Sequence, residues 1–233
     1  TALAQTVTTL PLEGARGNLY DCKGRCLTSY GLEYYALCVP GESSYARLFD
    51  HTSYAGQSLL YSRRNSSEPF LVQVDADLTD QGVYTYAVPQ RYFPAPVAPH
   101  LIGYLNGDGR GVSGLELAFD EVLAPKTPRQ LVRCVTTAQG SLVQGSEPEL
   151  VEQGGGSTGV MLTLDETVQR ACEGIAQKNM TQGCILVLDV ASARALASVS
   201  LPEFDPRAVE KSIRAQDTSL LNRALCQYNV GSV

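Results

Sequence analysis

A serine flanked by glycines could be a catalytic nucleophile. Gly155, Ser157 and Gly159 spell G-x-S-x-G, the pattern of the nucleophile elbow of serine hydrolases. That elbow lies between a strand and a helix, and its histidine comes later in the chain. Here the following residues are typical of a strand, and both histidines, His51 and His100, come earlier. The stretch is therefore predicted to be a flexible linker.

Three other glycines could surround a nucleotide phosphate. Gly109, Gly111 and Gly114 spell G-x-G-x-x-G, and a predicted helix follows them. A dinucleotide site also needs a buried strand before the glycines and an acidic residue about 20 positions later. Proline and glycine interrupt the preceding stretch, and no Asp or Glu occurs between 122 and 146. We expect no nucleotide cofactor.

The seven cysteines could bind metal or form disulfides. Cys22 and Cys26 have a spacing that zinc ligands use, but no second pair follows, and structural zinc sites need four ligands. The number of cysteines is odd and their spacing is not that of a disulfide scaffold. We therefore predict no metal site, seven free thiols, and buried, apolar roles for Cys172 and Cys184.

Composition and charge restrict the class of protein. The chain has 233 residues, of which 44% are hydrophobic and 18% charged, with a formal net charge of -6. These values are typical of a folded globular protein, and the acidic balance argues against binding of nucleic acid. No run of 18 apolar residues is present. With two histidines and no ligand cluster, the residues alone indicate a soluble, acidic, two-part α+β protein without a complete active site.

Strand patterns recur through the first 140 residues. Residues 1–15 are predicted to be extended, and "GNLYD" and "GLEYYALCVP" to be two strands around a turn at 23–25. The stretches "PFLVQV", "GVYTYAVPQRYFP" and "QLVRCVTT" are predicted to be strands because β-forming residues dominate or alternate in them.

Helical patterns are fewer. A helix is predicted around Tyr45–Asp50, and "GLELAFDEVL" is predicted to be one short helix with Leu115, Phe119 and Val122 on one face. No regular periodicity is found elsewhere in 41–68.

The character of the chain changes after the glycine-rich linker at 152–159. "TLDETVQRACEGIAQKN" predicts an amphipathic helix with Val168, Cys172 and Ile175 on its apolar face, and Thr163 with Glu166 matches a capping box. "CILVLDV" and "RALASVS" then predict a β-hairpin inside a sheet. We place the domain boundary near 155–160.

Three stretches of the first part carry a resemblance. "RGNLYDCKGRCL" at 16–27, "GVYTYAVPQRYFP" at 82–94 and "HLIGYLNGDGRGVSGLELAFDEVL" at 100–123 resemble motifs of the pedestal, or dimerisation, domain of class B penicillin-binding proteins. In that family these motifs converge near the junction with the catalytic domain. The resemblance implies that Arg16, Asp21, Arg91 and Glu116 form a shared, partly buried network, with Glu116 accepting hydrogen bonds from Arg16 or Arg91.

Three stretches of the second part continue the same series. "LTLDETVQRACE" at 162–173, "GCILVLDVASARALASVSLPEFDP" at 183–206 and "LNRALCQYNVGSV" at 221–233 resemble the opening of the family's transpeptidase domain. The last resembles N-R-[AV]-x-x-x-Y-x-P-G-S-x-[FM]-K, in which the serine is acylated and the lysine is its base partner. Ser232 falls on the serine, and the sequence stops before the lysine. Ala193 replaces the glycine that the family uses in the hairpin turn, where φ is positive.

The resemblance implies a structural role for a set of motif residues. They are Arg16, Gly17, Asp21, Gly24, Arg91, Tyr92, Pro94, Gly103, Tyr104, Gly111, Gly114, Glu116, Asp165, Gln169 and Asp189. The implied fold is α+β, with a pedestal domain at 1–158 and the opening helix and hairpin of a transpeptidase domain at 159–233.

The resemblance also implies a function. The intact protein is expected to be a membrane-anchored D,D-transpeptidase outside the cytoplasm that cross-links peptidoglycan stem peptides and is acylated by β-lactams, without a cofactor. The 233 residues are expected to be non-catalytic, to position the transpeptidase domain and to bind cell-wall synthesis proteins, with homodimerisation left open. Two alternatives are a stand-alone extracytoplasmic interaction module and a small-molecule-binding lobe built around 103–114.

Overall fold

The chain has an α+β fold that divides into two compact units. The computed structural model describes residues 5–12, 16–29, 31–39, 44–66, 68–124, 130–139, 141–143, 145–152 and 158–227. Unit 1 comprises 1–15, 31–90 and 125–156, and unit 2 comprises 16–30, 91–124 and 157–233. The prediction of a pedestal at 1–158 and a transpeptidase opening at 159–233 concerns function and stays a prediction.

The strands, in chain order, are β1 (Gln5–Leu12), β2 (Leu19–Tyr20), β3 (Leu32–Cys38), β4 (Phe70–Val74), β5 (Thr85–Pro89), β6 (Gln130–Thr137), β7 (Glu149–Glu152), β8 (Val160–Met161), β9 (Gly183–Leu188) and β10 (Ala195–Leu201). The α-helices are α1 (Ser44–Phe49), α2 (Tyr54–Ser62), α3 (Pro99–Ile102), α4 (Gly114–Ala118), α5 (Asp120–Leu123), α6 (Glu166–Asn179) and α7 (Val209–Ala215). None of the helices in the described ranges is long and apolar enough to cross a membrane.

Unit 1 contains two antiparallel sheets, ordered β1-β6-β7 and β4-β3-β5. The strand predictions for "PFLVQV" and "QLVRCVTT" are confirmed, and alternate residues such as Val72, Val132 and Cys134 are buried. A helix at 44–49 is confirmed as well. The helix α2 was not predicted, and it buries only Leu60, which explains why its sequence shows no apolar period.

In unit 2, β2 pairs with β8 in parallel and β9 pairs with β10 antiparallel. The prediction that "GNLYD" and "GLEYYALCVP" flank one turn is wrong, because β2 and β3 belong to different sheets. The turn instead returns the chain from Tyr20 to Cys26, which form a bridge. The partner of β2 lies about 140 residues later in the sequence, beyond the reach of a local turn pattern.

The stretch "GLELAFDEVL" forms two short helices, α4 and α5, rather than the single predicted helix. The chain leaves helical geometry at Phe119, with φ -110° and ψ 20°. This break rotates the second half, so that Leu123 is buried while Val122 is 44% exposed. The predicted apolar face was therefore wrong at its C-terminal end.

The amphipathic helix α6 is confirmed, but its start and its buried face differ from the prediction. Asp165 caps the helix by accepting a hydrogen bond from the Thr167 amide, whereas the Thr163 hydroxyl donates to the Ala195 carbonyl. The buried residues are Gln169, Glu173 and Ala176. They repeat at the predicted i, i+4, i+7 spacing, one position later than Val168, Cys172 and Ile175.

The predicted hairpin is confirmed as β9 and β10, and Ala193 in its turn has a φ of 56°. Within the described part of the chain, β9 pairs with β10 alone. The cysteine predictions need a correction, because Cys184 is exposed and Cys172 is half-buried. The buried thiols are those of Cys38 and Cys134, and burial raises the pKa of Cys38 to about 12.

Candidate functional site

A buried carboxylate joins three of the motifs within unit 2. Glu116 on α4 has no exposed surface. Its Oε2 accepts a hydrogen bond from Arg16 Nε at 2.7 Å, and its Oε1 accepts one from Arg91 Nε at 2.8 Å. The Tyr92 hydroxyl donates to Oε1 at 3.4 Å. The predicted hydrogen bonds to Glu116 from Arg16 and Arg91 are confirmed. We call Arg16, Arg91, Glu116 and Asp120 the Glu116 network.

The two guanidinium groups have further partners. Arg16 Nη1 lies 2.7 Å from Asp120 Oδ1, and Arg16 Nη2 donates to the Glu116 carbonyl at 2.8 Å. Arg91 Nη1 donates to the Gly17 carbonyl at 2.8 Å. Arg91 Nη2 also lies 2.7 Å from Glu116 Oε1, but it is not aligned for a hydrogen bond, so this contact is Coulombic.

The Glu116 network combines two carboxylates with two guanidinium groups and is therefore neutral. Burial alone would raise the pKa of Asp120, but the Gly111 amide and the Arg16 guanidinium lower it below its usual value. An uncompensated charge in such a place would be costly, whereas paired and hydrogen-bonded charges are tolerated. The arrangement is suited to holding segments together, and its charges are already occupied by one another.

The glycines around this network allow backbone segments to approach closely. A Cβ at Gly111 would lie 2.1 Å from the Glu116 carbonyl oxygen, and one at Gly103 would lie 2.0 Å from the Ser113 carbonyl oxygen. Gly114 has a φ of +57°, and a Cβ there would lie 2.5 Å from the Leu101 carbonyl oxygen. The missing side chains thus make room for backbone atoms, and this space could not surround a ligand's phosphate.

Gly17 has the same role beside Arg16. Its amide donates to the Leu123 carbonyl at 2.8 Å, and a Cβ would lie 2.2 Å from the Thr158 carbonyl oxygen. Because the Gly17 carbonyl also accepts from Arg91, this glycine connects the first and second motifs through its backbone.

Asp21 belongs to a different cluster from the one predicted. Its buried carboxylate accepts from the amides of Lys23 and Arg25 at 2.9 and 2.8 Å, and from Arg25 Nε at 2.7 Å. The Glu166 amide at the start of α6 also donates to it, at 3.3 Å. The prediction that Asp21 joins Arg16, Arg91 and Glu116 is therefore wrong. Its position in the turn favours these local donors.

Asp165 completes this second cluster. Its carboxylate lies 2.7 Å from Lys23 Nζ and 2.8 Å from Arg25 Nη2. The hydrogen bond from Lys23 is the main cause that lowers the pKa of Asp165 to about 2. Burial opposes this direction at Asp21, but hydrogen bonds from Arg25, Glu166 and Lys23 lower the pKa of that carboxyl as well. Together these contacts fasten the 21–25 turn to the start of α6.

Gln169 fastens α6 to β10. Its Oε1 accepts from the Ser198 amide at 2.7 Å, and its Nε2 donates to the Ser198 carbonyl at 3.0 Å and to Glu173 at 2.8 Å. Glu173 accepts in addition from the Ala98 amide, and burial raises its pKa. Hydrogen bonding to backbone explains why these polar side chains occupy the buried face of the helix.

The other motif residues have more local contacts. Asp189 accepts from the Ala191 amide in the hairpin turn, and the Pro94 carbonyl accepts from Arg207 at 3.4 Å. The Tyr104 ring packs edge-on against Phe204, with centroids 5.8 Å apart. Gly24 closes the 21–25 turn with a φ of +81°. The predicted nucleophile, Ser232, lies outside the described residues.

Sequence reasoning missed three residues of these clusters, namely Arg25, Asp120 and Glu173. All three stand in quoted motifs, but the contacts that join them to other motifs span about 75 to 140 positions. In the described part of the chain, no cluster of three or more His, Cys, Asp or Glu side chains is arranged to hold a metal ion.

Comparisons with known proteins agree with the motif series. No protein-family model matches the chain. The chain is 32% identical to the peptidoglycan D,D-transpeptidase FtsI homolog of Mesostigma viride over 133 residues. The aligned region covers 54% of this chain and 22% of the relative. Its fold is similar to that of penicillin-binding protein PBP2 from Helicobacter pylori, with a TM-score of 0.60 and 20% identity over 94% of this chain and 49% of that one.

The chain is related to the class B penicillin-binding proteins. A second similar structure is a chain of a peptidoglycan synthase complex, with a TM-score of 0.56 and 21% identity over 96% of this chain and 46% of that one. The α+β fold is that of the penicillin-binding protein region these structures share. The chain spans about a fifth to three-tenths of the length of the curated relatives it matches.

Proposed function

We propose that this chain is the part of a peptidoglycan D,D-transpeptidase that positions the transpeptidase domain. In this proposal residues 1–158 form the pedestal and 159–233 open the catalytic domain. The observation that carries it is the Glu116 network. One buried carboxylate fixes two arginines from two other motifs, which is the convergence that the resemblance to the family implies.

The chain by itself is proposed to be non-catalytic. In the family, the hydroxyl at the position of Ser232 attacks a carbonyl carbon and forms an acyl-enzyme, while a lysine one turn later accepts its proton. A serine hydroxyl is a weak nucleophile without such a base. The sequence contains no lysine after Lys211 and no histidine after His100, so these 233 residues do not include the family's lysine.

The role of this chain is therefore to hold the start of the transpeptidase domain in a fixed position. The second cluster fastens the 21–25 turn to the start of α6, and Gln169 fastens α6 to β10. Both contacts lie in unit 2. The first connects a proposed pedestal motif with the proposed opening of the catalytic domain, and the second lies within that opening. Misplacement of a nucleophile strongly reduces the rate of catalysis, and rigid support of this kind limits such misplacement.

The partners and location follow the same proposal. Stem peptides and β-lactams would bind only the intact protein, outside the cytoplasmic membrane, and cell-wall synthesis proteins would contact the pedestal. The similar fold of a chain from a peptidoglycan synthase complex supports the last point. A small-molecule lobe at 103–114 is not favoured, because backbone atoms fill the space beside Gly103, Gly111 and Gly114.

Labelling with a fluorescent penicillin tests the proposal. The 233-residue chain and the product of its full natural reading frame are incubated with the penicillin, denatured and separated on a gel. We expect label on the full product and none on the chain alone. The Ser232→Ala variant of the full product should carry no label. A stand-alone interaction module predicts no label on any of the three proteins, and that result would overturn the proposal.

A further inference from the structure

His100 is a buried histidine whose ring makes a single hydrogen bond within the described part of the chain. The residue is 8% exposed, and its Nε2 lies 2.5 Å from the carbonyl oxygen of Ser219. Because a carbonyl oxygen can only accept, Nε2 must carry the proton. Nδ1 is buried and has no hydrogen-bond partner among the described residues. The ring packs edge-on against Phe204, with centroids 5.1 Å apart.

The contact at Ser219 belongs to a larger attachment of the 217–223 segment. The Asn222 side chain donates to the His100 carbonyl at 3.4 Å, so His100 contacts the segment through both ring and backbone. Ser200 on β10 donates to the Leu221 carbonyl and accepts from the Arg223 amide, both at 3.1 Å. His100 therefore supplies the segment's attachment to α3, while Ser200 supplies its attachment to β10.

Protonation of the ring would weaken this attachment. An imidazolium carries a proton on both nitrogens, and the second one would face no acceptor. The new charge would also be buried near the Arg223 guanidinium. Burial lowers the pKa of His100 below 6.5 and the charge of Arg223 lowers it further, while the bond to the Ser219 carbonyl acts in the opposite direction.

Charged groups on the surrounding elements are already paired. On α4, Glu116 is held by two arginines, and β10 has no titratable side chain. The groups on the remaining neighbours are Glu173, bonded to the Ala98 amide, Glu203, bonded to Gln177, Asp205, paired with Arg207, and Asp217, bonded to Ser219. Burial raises the pKa of both Glu173 and Glu203, so these carboxyls also take up protons as the pH falls, and the test needs a control variant that retains both.

We propose that neutral His100 is a positioning residue for the 217–223 segment and that protonation of its ring releases this segment. The proposal rests on the proposed function in one respect, since this segment leads to Ser232. Release below the ordinary pKa of histidine would make the placement of the nucleophile sensitive to acid. The sign follows from linkage, because the closed state disfavours the charged ring. The attachment is complete above pH 6.5 and is lost as the pH falls from there toward the lowered pKa of His100.

Hydrogen exchange measures the attachment without any catalytic step. Deuterium uptake of peptides covering 217–223 is followed by mass spectrometry between about pH 7.5 and pH 5 in the 233-residue chain. The matched control is His100→Gln, whose side-chain amide can donate from a similar position but does not titrate. The ratio of the two protection factors at each pH cancels the chemical exchange rate and the protonation of Glu173 and Glu203.

We expect equal protection in both proteins near pH 7.5. Below pH 6.5 the protection of the histidine protein should fall relative to the glutamine variant by up to about tenfold per pH unit, until the lowered pKa is reached. His100→Leu, which removes the donor, should be poorly protected at every pH. A ratio that stays constant from pH 7.5 to 5 would overturn the proposal.

A second measurement covers the case in which the variants fail to fold. The chain has two histidines, so the ring protons of His100 can be followed by NMR in the unmodified protein, with assignment from a His51→Gln variant. We expect a pKa below 6.5, and a value of 6.5 or higher would contradict the proposal. Neither measurement depends on acylation, so their failure is distinguishable from failure of penicillin labelling.

Discussion

Replacing Glu116 by alanine removes the centre of the Glu116 network. The carboxylate is fully buried, and the side chains of Arg16 and Arg91 are only 5% and 14% exposed. After the change, two guanidinium groups remain with one carboxylate, that of Asp120, which lies 2.7 Å from Arg16 and 3.5 Å from the exposed Arg110. Arg91 keeps its bond to the Gly17 carbonyl but loses its ionic partner.

The magnitude follows from the burial of the charges. Loss of one member of a buried ion pair typically costs about 3–5 kcal/mol, because the remaining charge is uncompensated. The remaining partners of Arg16 and the partial exposure of Arg91 place the expected loss at the lower end, about 3 kcal/mol. The matched control is Arg207→Ala in the same unit. Its pair with Asp205 has side chains that are 36% and 40% exposed, and such pairs contribute at most about 1 kcal/mol.

Denaturant unfolding followed by circular dichroism measures these losses. Double-mutant cycles of Glu116→Ala with Arg16→Ala and with Arg91→Ala then isolate the pairwise terms, which for contacting residues reach about 0.5–3 kcal/mol. We expect the larger coupling for Arg16, the more deeply buried partner. The reasoning is refuted if Glu116→Ala unfolds within about 0.5 kcal/mol of the parent, the range of neutral surface changes, and neither cycle shows coupling.

Three further predictions concern packing, acid stability and cysteine. Gly111→Ala should destabilise the chain by about 1–3 kcal/mol in the same denaturant assay, because its Cβ would overlap the Glu116 carbonyl, whereas Gly107→Ala, with open space around its Cβ, should be nearly neutral. The parent should be more stable than Asp165→Asn above pH 3.8, and acid titration should show this advantage disappearing as the pH falls toward about 2, the lowered pKa of Asp165 beside Lys23. Alkylation of the denatured, unreduced chain should add seven labels by mass spectrometry, since all seven cysteines lie in the described ranges and are free; a protected pair would contradict this.

The sequence predicted the elements whose pattern depends on nearby residues. The composition of β-forming residues located β4 and β6, and the helical period located α6. The prediction failed where the structure depends on contacts between residues that are distant in the sequence. The buried face of α6 contains Gln169 and Glu173, whose hydrogen bonds to Ser198 and Ala98 compensate for their burial. A pattern based on apolar residues cannot detect such bonds, so it predicted the neighbouring helix face instead.

The candidate site was predicted in part, because motif order carries information that single patterns lack. The bond between Arg16 and Glu116 spans 100 positions, and no local pattern indicates it. The resemblance of the motif series to a family suggested it. The same reasoning misplaced Asp21, since the donors nearest to its carboxylate come from its own turn, at Lys23 and Arg25. The sequence prediction divided the chain at a single position. It therefore missed that the segments 16–30 and 91–124 pack with the C-terminal residues in unit 2.

The central claim is that this chain supports a serine that forms an acyl-enzyme. Mapping the adduct by peptide mass spectrometry tests it most directly. The product of the full natural reading frame is treated with a penicillin and digested, and the modified peptide is sequenced. We predict a single penicilloyl group on Ser232, and we predict that the sequence of the full product has a lysine three positions after this serine. An adduct on another residue, or no adduct on a folded product, would contradict the account.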